Sequence, residues 1–337
     1  MKKLKCSFIK KGISLVLMTI LGLVLVACGG KDAEEPKDKI VSVTDSGYVY
    51  VPEFHTMDIG EGTSINRLKV HGDALYYTTY TYNESTKQSE SGFARRRLDT
   101  LEEQELLTLD FEVQDGFTSS MGDFVFDKEN NLYVIWHISP VYVEGKEYAD
   151  SDYKTYLVNY TPDLQEAWSV DLAEVFTEEN RYVQNMVTGG ENKVYLSSDN
   201  VIYVLDSTGT LVKTISVNTD WINSLTSTSD GRVFAVQYGN TGMELVEVDT
   251  TKDVVGETFD HLPDTNNEIR AGQEGTLLVG GFSTLYEYDL MTKEAKEILD
   301  WVDCNIQSNY IRDIVMQSDG RIVVFCDNYE GNPEIAF

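Results

Sequence analysis

Cysteine is scarce in this chain, with 4 among 337 residues, and two of these, Cys6 and Cys28, lie near the N-terminus. A fold held together by many disulfides is therefore excluded. Cys304 and Cys326 remain for the rest of the chain and leave two interpretations open. They form one disulfide in an oxidising compartment, or they are two small apolar residues of the core.

Histidine is equally scarce, and His55, His71, His137 and His261 show no metal-ligand spacing such as H-E-x-x-H. No G-x-S-x-G elbow or glycine-rich phosphate loop is present. Among 56 acidic residues a pair of carboxylates can always be found, so such a pair carries no information. We therefore predict no catalytic residue, no metal ligand and no cofactor.

Basic residues are outnumbered, with 27 Lys and Arg against 56 Asp and Glu, a net charge of −29 and a pI near 4.3. This balance argues against binding to nucleic acid or to an anionic lipid surface by charge alone. Arg95, Arg96 and Arg97 form the basic cluster that stands out. This cluster would either bind an acidic partner or form ion pairs at the end of a strand, and the second interpretation is favoured.

A long apolar run occurs only near the N-terminus, at residues 13–26, after five lysines. It is too short for the roughly 20 residues of a membrane span and has the form of a secretory signal. The string LVACGG at 25–30 resembles the lipobox of bacterial lipoproteins. This resemblance implies a signal peptide at residues 1–27 and a diacylglyceryl anchor on Cys28. The expected location is the extracytoplasmic face of the cell membrane.

The stretch after the lipobox is charged and free of large apolar side chains. Residues 28–39, CGGKDAEEPKDK, therefore read as the lipidated cysteine and a flexible tether. Residues 40–337 form the folded domain. No sustained helical stripe is present there, and one short helix is expected within residues 170–179.

A repeat of short β-rich runs fills the folded domain. Turn pairs precede strand-like runs such as DGRVFAV at 230–236 and DGRIVVF at 319–325, and each run is followed by a strand, an Asp-centred turn and another strand. Asp206, Asp249 and Asp289 are 43 and 40 residues apart. A unit of about 40–45 residues with four strands is typical of a propeller blade. The sequence therefore predicts an all-β fold, a β-propeller.

The number of units predicts six blades of four strands, with seven as the alternative if residues 40–64 hold more than one strand. The last unit shows three strands before the chain stops at Phe337. Residues 47–54 have strand composition and are expected to supply the missing outer strand, which closes the ring and removes two sheet edges.

The layout resembles a group of Gram-positive, clostridial-type lipoproteins, in which a propeller-like N-terminal region precedes an extracellular ABC-transporter solute-binding domain. The resemblance lies in the lipobox, the tether, the blade repeats, LDW at 299–301, the stretch 310–324 and DGR at 319–321. In that family the solute-binding part would follow Phe337. The resemblance thus implies a natural protein that continues beyond this residue, and it transfers no binding residue.

Together these features predict a membrane-anchored, non-enzymatic recognition module, the accessory part of a solute-uptake lipoprotein. Its expected partners are the membrane, through the anchor, and an ABC-transporter permease or an envelope protein. A free-standing scaffold for envelope assembly is the alternative. A propeller glycosidase or lyase, with its active site at the channel mouth, is the least favoured hypothesis.

Overall fold

The computed structural model describes residues 41–43, 49–50, 53–59, 63–83, 88–101, 105–109, 111–176, 182–218, 221–239, 242–252, 254–259, 262–263, 268–301, 304, 311–317, 320–327 and 333–336. The predicted signal peptide, Cys28 and the tether lie outside these residues and stay predictions. No helix in the described part of the chain is long and apolar enough to cross a membrane.

The first three strands are short and belong to two different sheets. β1 (Val41–Val43) and β2 (Val49–Tyr50) pair only with each other, whereas β3 (Phe54–Thr56) joins a four-stranded sheet at the other end of the chain. Residues 40–64 therefore do hold more than one strand. They do not form a seventh four-stranded sheet among the described residues.

Twenty strands then form five blades, each an antiparallel sheet of four consecutive strands. Sheet 1 holds β4 (Thr63–His71), β5 (Ala74–Asn83), β6 (Gln88–Arg97) and β7 (Glu105–Leu107). Sheet 2 holds β8 (Phe117–Phe126), β9 (Leu132–Pro140), β10 (Lys154–Tyr160) and β11 (Glu166–Asp171). Sheet 3 holds β12 (Asn185–Thr188), β13 (Val194–Ser198), β14 (Val201–Leu205) and β15 (Leu211–Ser216).

The fourth and fifth blades repeat this pattern. Sheet 4 holds β16 (Ile222–Ser227), β17 (Val233–Gly239), β18 (Gly242–Asp249) and β19 (Val254–Phe259). Sheet 5 holds β20 (Glu268–Ala271), β21 (Thr276–Gly280), β22 (Thr284–Asp289) and β23 (Glu294–Asp300). Helical structure within the described residues is limited to α1 (Leu172–Val175) and two 3-10 turns (Asp150–Asp152 and Gly190–Asn192).

The remaining four-stranded sheet, sheet 6, is composite. It combines β24 (Ile311–Met316), β25 (Ile322–Asp327) and β26 (Pro333–Ala336) with β3, in the order β24-β25-β26-β3. Ile335 lies opposite His55 in the closing ladder. The predicted closure by an N-terminal strand is thus present, but the closing strand is β3, which shares only Phe54 with the predicted residues 47–54. Part of that segment, β2, pairs with β1 instead.

The all-β propeller predicted from the repeats is confirmed, but the blade count needs a correction. Five blades, not six or seven, are built from consecutive strands, and sheet 6 is assembled from both ends of the chain. The first strands of the six sheets contact one another in a closed ring, in which β24 touches both β20 and β4. The sixth sheet is not built from consecutive strands, because its outer strand, β3, lies at the other end of the described chain.

The core lies between neighbouring sheets. Each of six hydrophobic clusters combines side chains of two adjacent sheets, including the cluster that joins sheet 6 to sheet 1 through Phe325, Ile335 and Leu75. Successive residues of a strand point to opposite faces of the sheet. The middle strands are therefore apolar on both faces, because each sheet has a neighbour on either side.

The turns follow the sequence repeat. Asp206 Oδ1 accepts hydrogen bonds from the main-chain N–H groups of Thr208 (2.9 Å) and Thr210 (3.0 Å), and Asp249 and Asp289 bind their own turns in the same way. These bonds hold the pKa of Asp289 below its ordinary value. The aspartates that marked the repeat are thus structural residues of the turn between the third and fourth strands.

Candidate functional site

The candidate site is the central channel of the ring. Its cavity measures about 630 Å³ and is lined by residues of the first strand of each of the six sheets. These strands lie innermost because each one begins a sheet that runs outward from the ring axis. We call the end of the channel that carries the links between sheets the upper face. The opposite end, which carries the turns between first and second strands, is the lower face.

Four of the six inner strands contain a β-bulge at a similar position. The irregularities fall between Ile65 and Arg67, Met121 and Phe124, Ile222 and Ser224, and Ile311 and Asp313. A bulge inserts an extra residue and re-aims the side chains beside it, which is why bulges are frequent next to binding sites. Here each bulge interrupts an apolar strand, and beside three of the bulges Arg67, Asp123 and Asp313 line the channel.

Two cationic side chains meet one carboxylate where sheet 1 faces sheet 2. Lys69 Nζ lies 2.9 Å from Asp123 Oδ1, whereas Arg67 Nε lies 4.0 Å from the same oxygen. The same Asp123 Oδ1 also accepts a hydrogen bond from the main-chain N–H of Phe124 at 2.9 Å. These three side chains therefore carry a net charge of about +1.

A second ion pair lies on another side of the channel, between sheets 5 and 6. Arg270 Nε is 2.5 Å from Oδ1 of Asp313, whose side chain is buried. Asp313 Oδ1 also accepts the main-chain N–H of Ile314 at 2.9 Å. This carboxylate is matched by one cation, so the pair is close to neutral.

His137 lies on β9, the strand that pairs with the inner strand β8 of sheet 2. Burial lowers the pKa of this imidazole, and the charge of Arg67 lowers it further. Its Nδ1 lies 3.3 Å from Thr155 Oγ1, and its ring stacks on Tyr182 with centroids 6.3 Å apart. Gly122 faces the other ring nitrogen, since a Cβ at this position would lie 2.6 Å from Nε2. The pKa of His137 therefore depends in part on the charge of Arg67.

Large aromatic side chains are exposed on the upper face. Tyr142 is 79% exposed in the β9–β10 connection, and Phe282 is 62% exposed in the β21–β22 turn. Tyr182 and Trp221 precede β12 and β16 and are 64% and 57% exposed. All four lie in connections of the upper face, because the second-to-third strand connections and the links between sheets open at the same end. Exposed aromatic residues of this kind are enriched in interfaces.

The residues singled out in the sequence take different positions. Cys304 and Cys326 are both buried in the cluster between sheets 5 and 6, and their disulfide stays a prediction. Cys28 and His261 lie outside the described residues. No group of three or more His, Cys, Asp or Glu side chains suited to a metal ion occurs in the described part of the chain.

The arginine cluster has its favoured, structural role. Arg95 Nε lies 2.6 Å from Glu105 Oε2, and Arg97 Nη2 lies 2.7 Å from Asp99 Oδ2. Arg96 is buried instead. It donates to the Tyr77 hydroxyl (3.0 Å) and to the main-chain oxygens of Leu101 (2.7 Å) and Asp58.

Sequence reasoning missed the charged residues of the channel. Arg67, Lys69, Asp123, Arg270 and Asp313 come from four different sheets, and nothing in their immediate neighbourhood marks them as partners. A usable signal exists in the strings INRL at 65–68, MGDF at 121–124, INSL at 222–225 and IRDI at 311–314. In each, two residues with a polar second member interrupt an apolar strand, at the place where the bulge forms.

Comparisons with known proteins give no family for this chain. The sequence matches no protein-family model, and no curated protein sequence matches it either. Among solved structures it is similar to a protein of unknown function from Bacteroides caccae, at 10% identity and a TM-score of 0.46, covering 77% of this chain and 89% of that one.

Two further similar structures are the Pyrococcus horikoshii acylaminoacyl peptidase and the Dos1 propeller. The peptidase match has 9% identity and a TM-score of 0.48, and it covers 79% of this chain but only 49% of the peptidase chain. The Dos1 match has 14% identity and a TM-score of 0.40, and it covers 81% and 67% of the two chains. Similarities at these identities and TM-scores carry no argument. The β-propeller fold is established by the sheets of this chain itself.

Proposed function

We propose that this chain is a lipid-anchored recognition module that binds a small ligand in its central channel without catalysing a reaction. The observation that carries the proposal is the channel itself, about 630 Å³ in volume and lined by six inner strands. Ligand pockets commonly measure about 300–1,000 Å³ and combine an apolar lining with a few converging polar groups. Val70, Val187 and Met316 supply apolar surface here, and the two ion-paired groups supply polar contacts.

The non-enzymatic part of the proposal is supported by how the channel carboxylates are used. Asp123 and Asp313 each accept a main-chain N–H from the following residue and face a cationic side chain. Both therefore serve to fix the local backbone and to hold a cation in place. A turnover assay on a panel of glycans and peptides, read by mass spectrometry, tests this part. Product formation by the pure protein would contradict it.

The membrane anchor belongs to the proposal through the lipobox resemblance. One acyl chain binds a membrane only marginally, whereas two chains, as on a diacylglyceryl cysteine, hold a protein stably. The expected role is the accessory, ligand-recognising part of an ABC-type uptake lipoprotein. Replacement of Cys28 by alanine should abolish metabolic lipid labelling and release the protein from the membrane fraction. Unchanged labelling in this variant would contradict the anchor.

The channel site can be tested with methionine methyl groups as probes. Met186 and Met316 line the channel, whereas Met291 is 87% exposed in the β22–β23 turn of the lower face. We expect a binding compound from a panel of amino acids, short peptides, sugars, nucleotides and organic acids to shift the NMR signals of Met186 and Met316. The signal of Met291 should not move. Shifts at Met291 alone, or no shift with any compound, would contradict a ligand site in the channel.

A second candidate function is supported by the exposed aromatic residues of the upper face. A scaffold for envelope proteins would use Tyr142, Trp221 and Phe282 as anchors, since Tyr and Trp dominate the binding energy of many interfaces. In that case Trp221→Ala should abolish a crosslink to an envelope protein in source cells, and the lower-face control Met291→Ala should leave it intact. Equal crosslinking of both variants would contradict the scaffold.

A further inference from the structure

The charge of the channel differs from that of the rest of the molecule. The chain has 27 basic and 56 acidic residues, yet the described residues that line the channel include Arg67, Lys69 and Arg270 against only Asp123 and Asp313. A cleft with walls of low dielectric concentrates the field of the charges that line it. An excess cation inside an acidic protein therefore gives the channel a local preference for anions.

We propose that the channel binds a small anion through carboxylate or phosphate oxygens, held by Arg67 and Lys69 where sheet 1 faces sheet 2. This inference rests on the proposed function, because it names the ligand class of the same channel. It assigns Arg67 as the main anion contact and Lys69 as a supporting contact.

The geometry of Arg67 supports this assignment. Its Nε lies 4.0 Å from Asp123 Oδ1, at the outer limit of an ion pair, while Lys69 holds the same oxygen at 2.9 Å. Arg67 also donates from Nη1 to the main-chain oxygen of Asn66 at 3.3 Å. A guanidinium carries five N–H donors in a planar fork, so most of its donors remain for a ligand. This fork matches two oxygens of a carboxylate or phosphate.

Arg67 is also held in place and accessible. Its main-chain N–H donates to Thr78 Oγ1 at 3.0 Å beside the β-bulge, which fixes the backbone from which the side chain extends. The side chain is 48% exposed, whereas that of Lys69 is 26% exposed. An anion in the channel can therefore contact an accessible, positioned guanidinium and a more buried ammonium next to it.

His137 provides an independent readout of charge near Arg67. The positive charge of Arg67 contributes, after burial, to lowering the pKa of this imidazole. An anion on Arg67 would cancel part of that charge, so the pKa of His137 should rise when the anion binds. Coupling between two sites is reciprocal, so anion binding should also be tighter when His137 is protonated.

The experiment is calorimetric titration of the full lipoprotein in neutral detergent with sodium phosphate and with sodium citrate, at low ionic strength. We expect one anion per chain, with an affinity that falls as sodium chloride is added. Arg67→Gln should weaken binding about 10-fold or more, as expected for a lost charge-assisted hydrogen bond. Asp123→Asn removes the competing carboxylate and should tighten binding, and its Oδ1 can still accept the Phe124 N–H.

The matched control is Lys252→Gln, which removes one positive charge from an exposed turn where Lys252 pairs with Asp249 at 2.8 Å. This variant should change the affinity less than about 2-fold, because Lys252 is exposed to solvent and the paired Asp249 offsets its charge. Equal weakening in the Arg67 and Lys252 variants would overturn the proposal, because it would show an effect of net charge alone. Arg67→Lys provides a second variant if Arg67→Gln does not fold, and it should lose affinity by losing the planar fork.

Failure of this inference can be told apart from failure of the proposed function. If neutral compounds shift the Met186 and Met316 signals but phosphate and citrate neither bind nor raise the pKa of His137, the channel is a ligand site and the anion assignment is wrong. If no compound of any class affects these two methyl groups, the proposed function itself is wrong. Anion binding that survives Arg67→Gln would place the anion elsewhere and also overturn the assignment.

Discussion

Arg96 joins three separate segments of the chain and offers a sharp test of what holds the closed ring together. Its guanidinium donates to the Tyr77 hydroxyl in sheet 1, to the Leu101 main-chain oxygen in the following turn, and to the Asp58 main-chain oxygen just after β3. β3 closes sheet 6, so Arg96 ties the closing strand to sheet 1. Replacement by methionine keeps much of the apolar stem and removes the three donated hydrogen bonds.

The expected loss follows from the acceptors left behind. A hydrogen bond from a charged donor contributes about 1.5–3 kcal/mol, and an unsatisfied buried acceptor costs about 1–3 kcal/mol. The Leu101 and Asp58 oxygens lie near the surface and regain part of this from water. We therefore expect Arg96→Met to lower the free energy of unfolding by about 3–5 kcal/mol. For roughly 300 residues this corresponds to a fall in Tm of about 5–8 °C.

The assay is urea unfolding followed by tryptophan fluorescence, together with thermal unfolding by circular dichroism. Arg96→Lys keeps the charge and one donor position, so its loss should be intermediate. Arg97→Met is the matched control, because Arg97 is 69% exposed and its ion pair with Asp99 lies at the surface. Exposed ion pairs contribute about 0–1 kcal/mol. A loss below about 1 kcal/mol for Arg96→Met would refute the role given to Arg96.

Three further predictions concern the ladder, a turn and the pH dependence. Ile335→Ala, at a fully buried position of β26 in the closing ladder, should cost about 2–5 kcal/mol in urea unfolding, whereas exposed Val212→Ala should cost little. Equal losses would contradict a packed closing ladder. Gly209→Ala should lower the free energy of unfolding by about 1–3 kcal/mol, because Gly209 has φ +81° and a Cβ would lie 2.7 Å from the Trp168 ring. An unchanged Tm would argue against this packing. Main-chain N–H groups of the β22–β23 turn hold the pKa of Asp289 below 3.8. The stabilisation that this carboxylate gives to the folded state is therefore present above that pH and is lost as the pH falls through the folded-state pKa. The difference in unfolding free energy between wild type and Asp289→Ala should therefore narrow as the pH falls below 3.8, and a constant difference would contradict the argument.

The repeat made much of the fold predictable. Asp206, Asp249 and Asp289 mark turns because a short carboxylate can bind the N–H groups of the residues that follow it, which is a local property. The turn glycines Gly231 and Gly275 have φ values of +90° and +80°, as tight turns require. Such signals are contained in a few consecutive residues, so a single sequence displays them.

The closing strand and the channel depend on contacts between distant residues. Residues 47–54 and β3 differ little in strand composition, and the choice between them is made by pairing with β26 at the far end of the chain. Arg67 and Asp123 become neighbours only because sheets 1 and 2 adjoin in the ring. Their identities as charged residues were visible, but their proximity was not.

The composite sheet also constrains the order in which the molecule can fold. Sheets 1 to 5 can each form from neighbouring segments, but β3 has no partner until β26 is present. Pairing over so large a sequence separation requires closure of a very long loop, which slows folding. Until then β26 and β3 both present open edges, the surfaces through which β proteins exchange strands or aggregate. Closure of sheet 6 is therefore the step in which a second copy of the chain can compete most directly with the molecule itself.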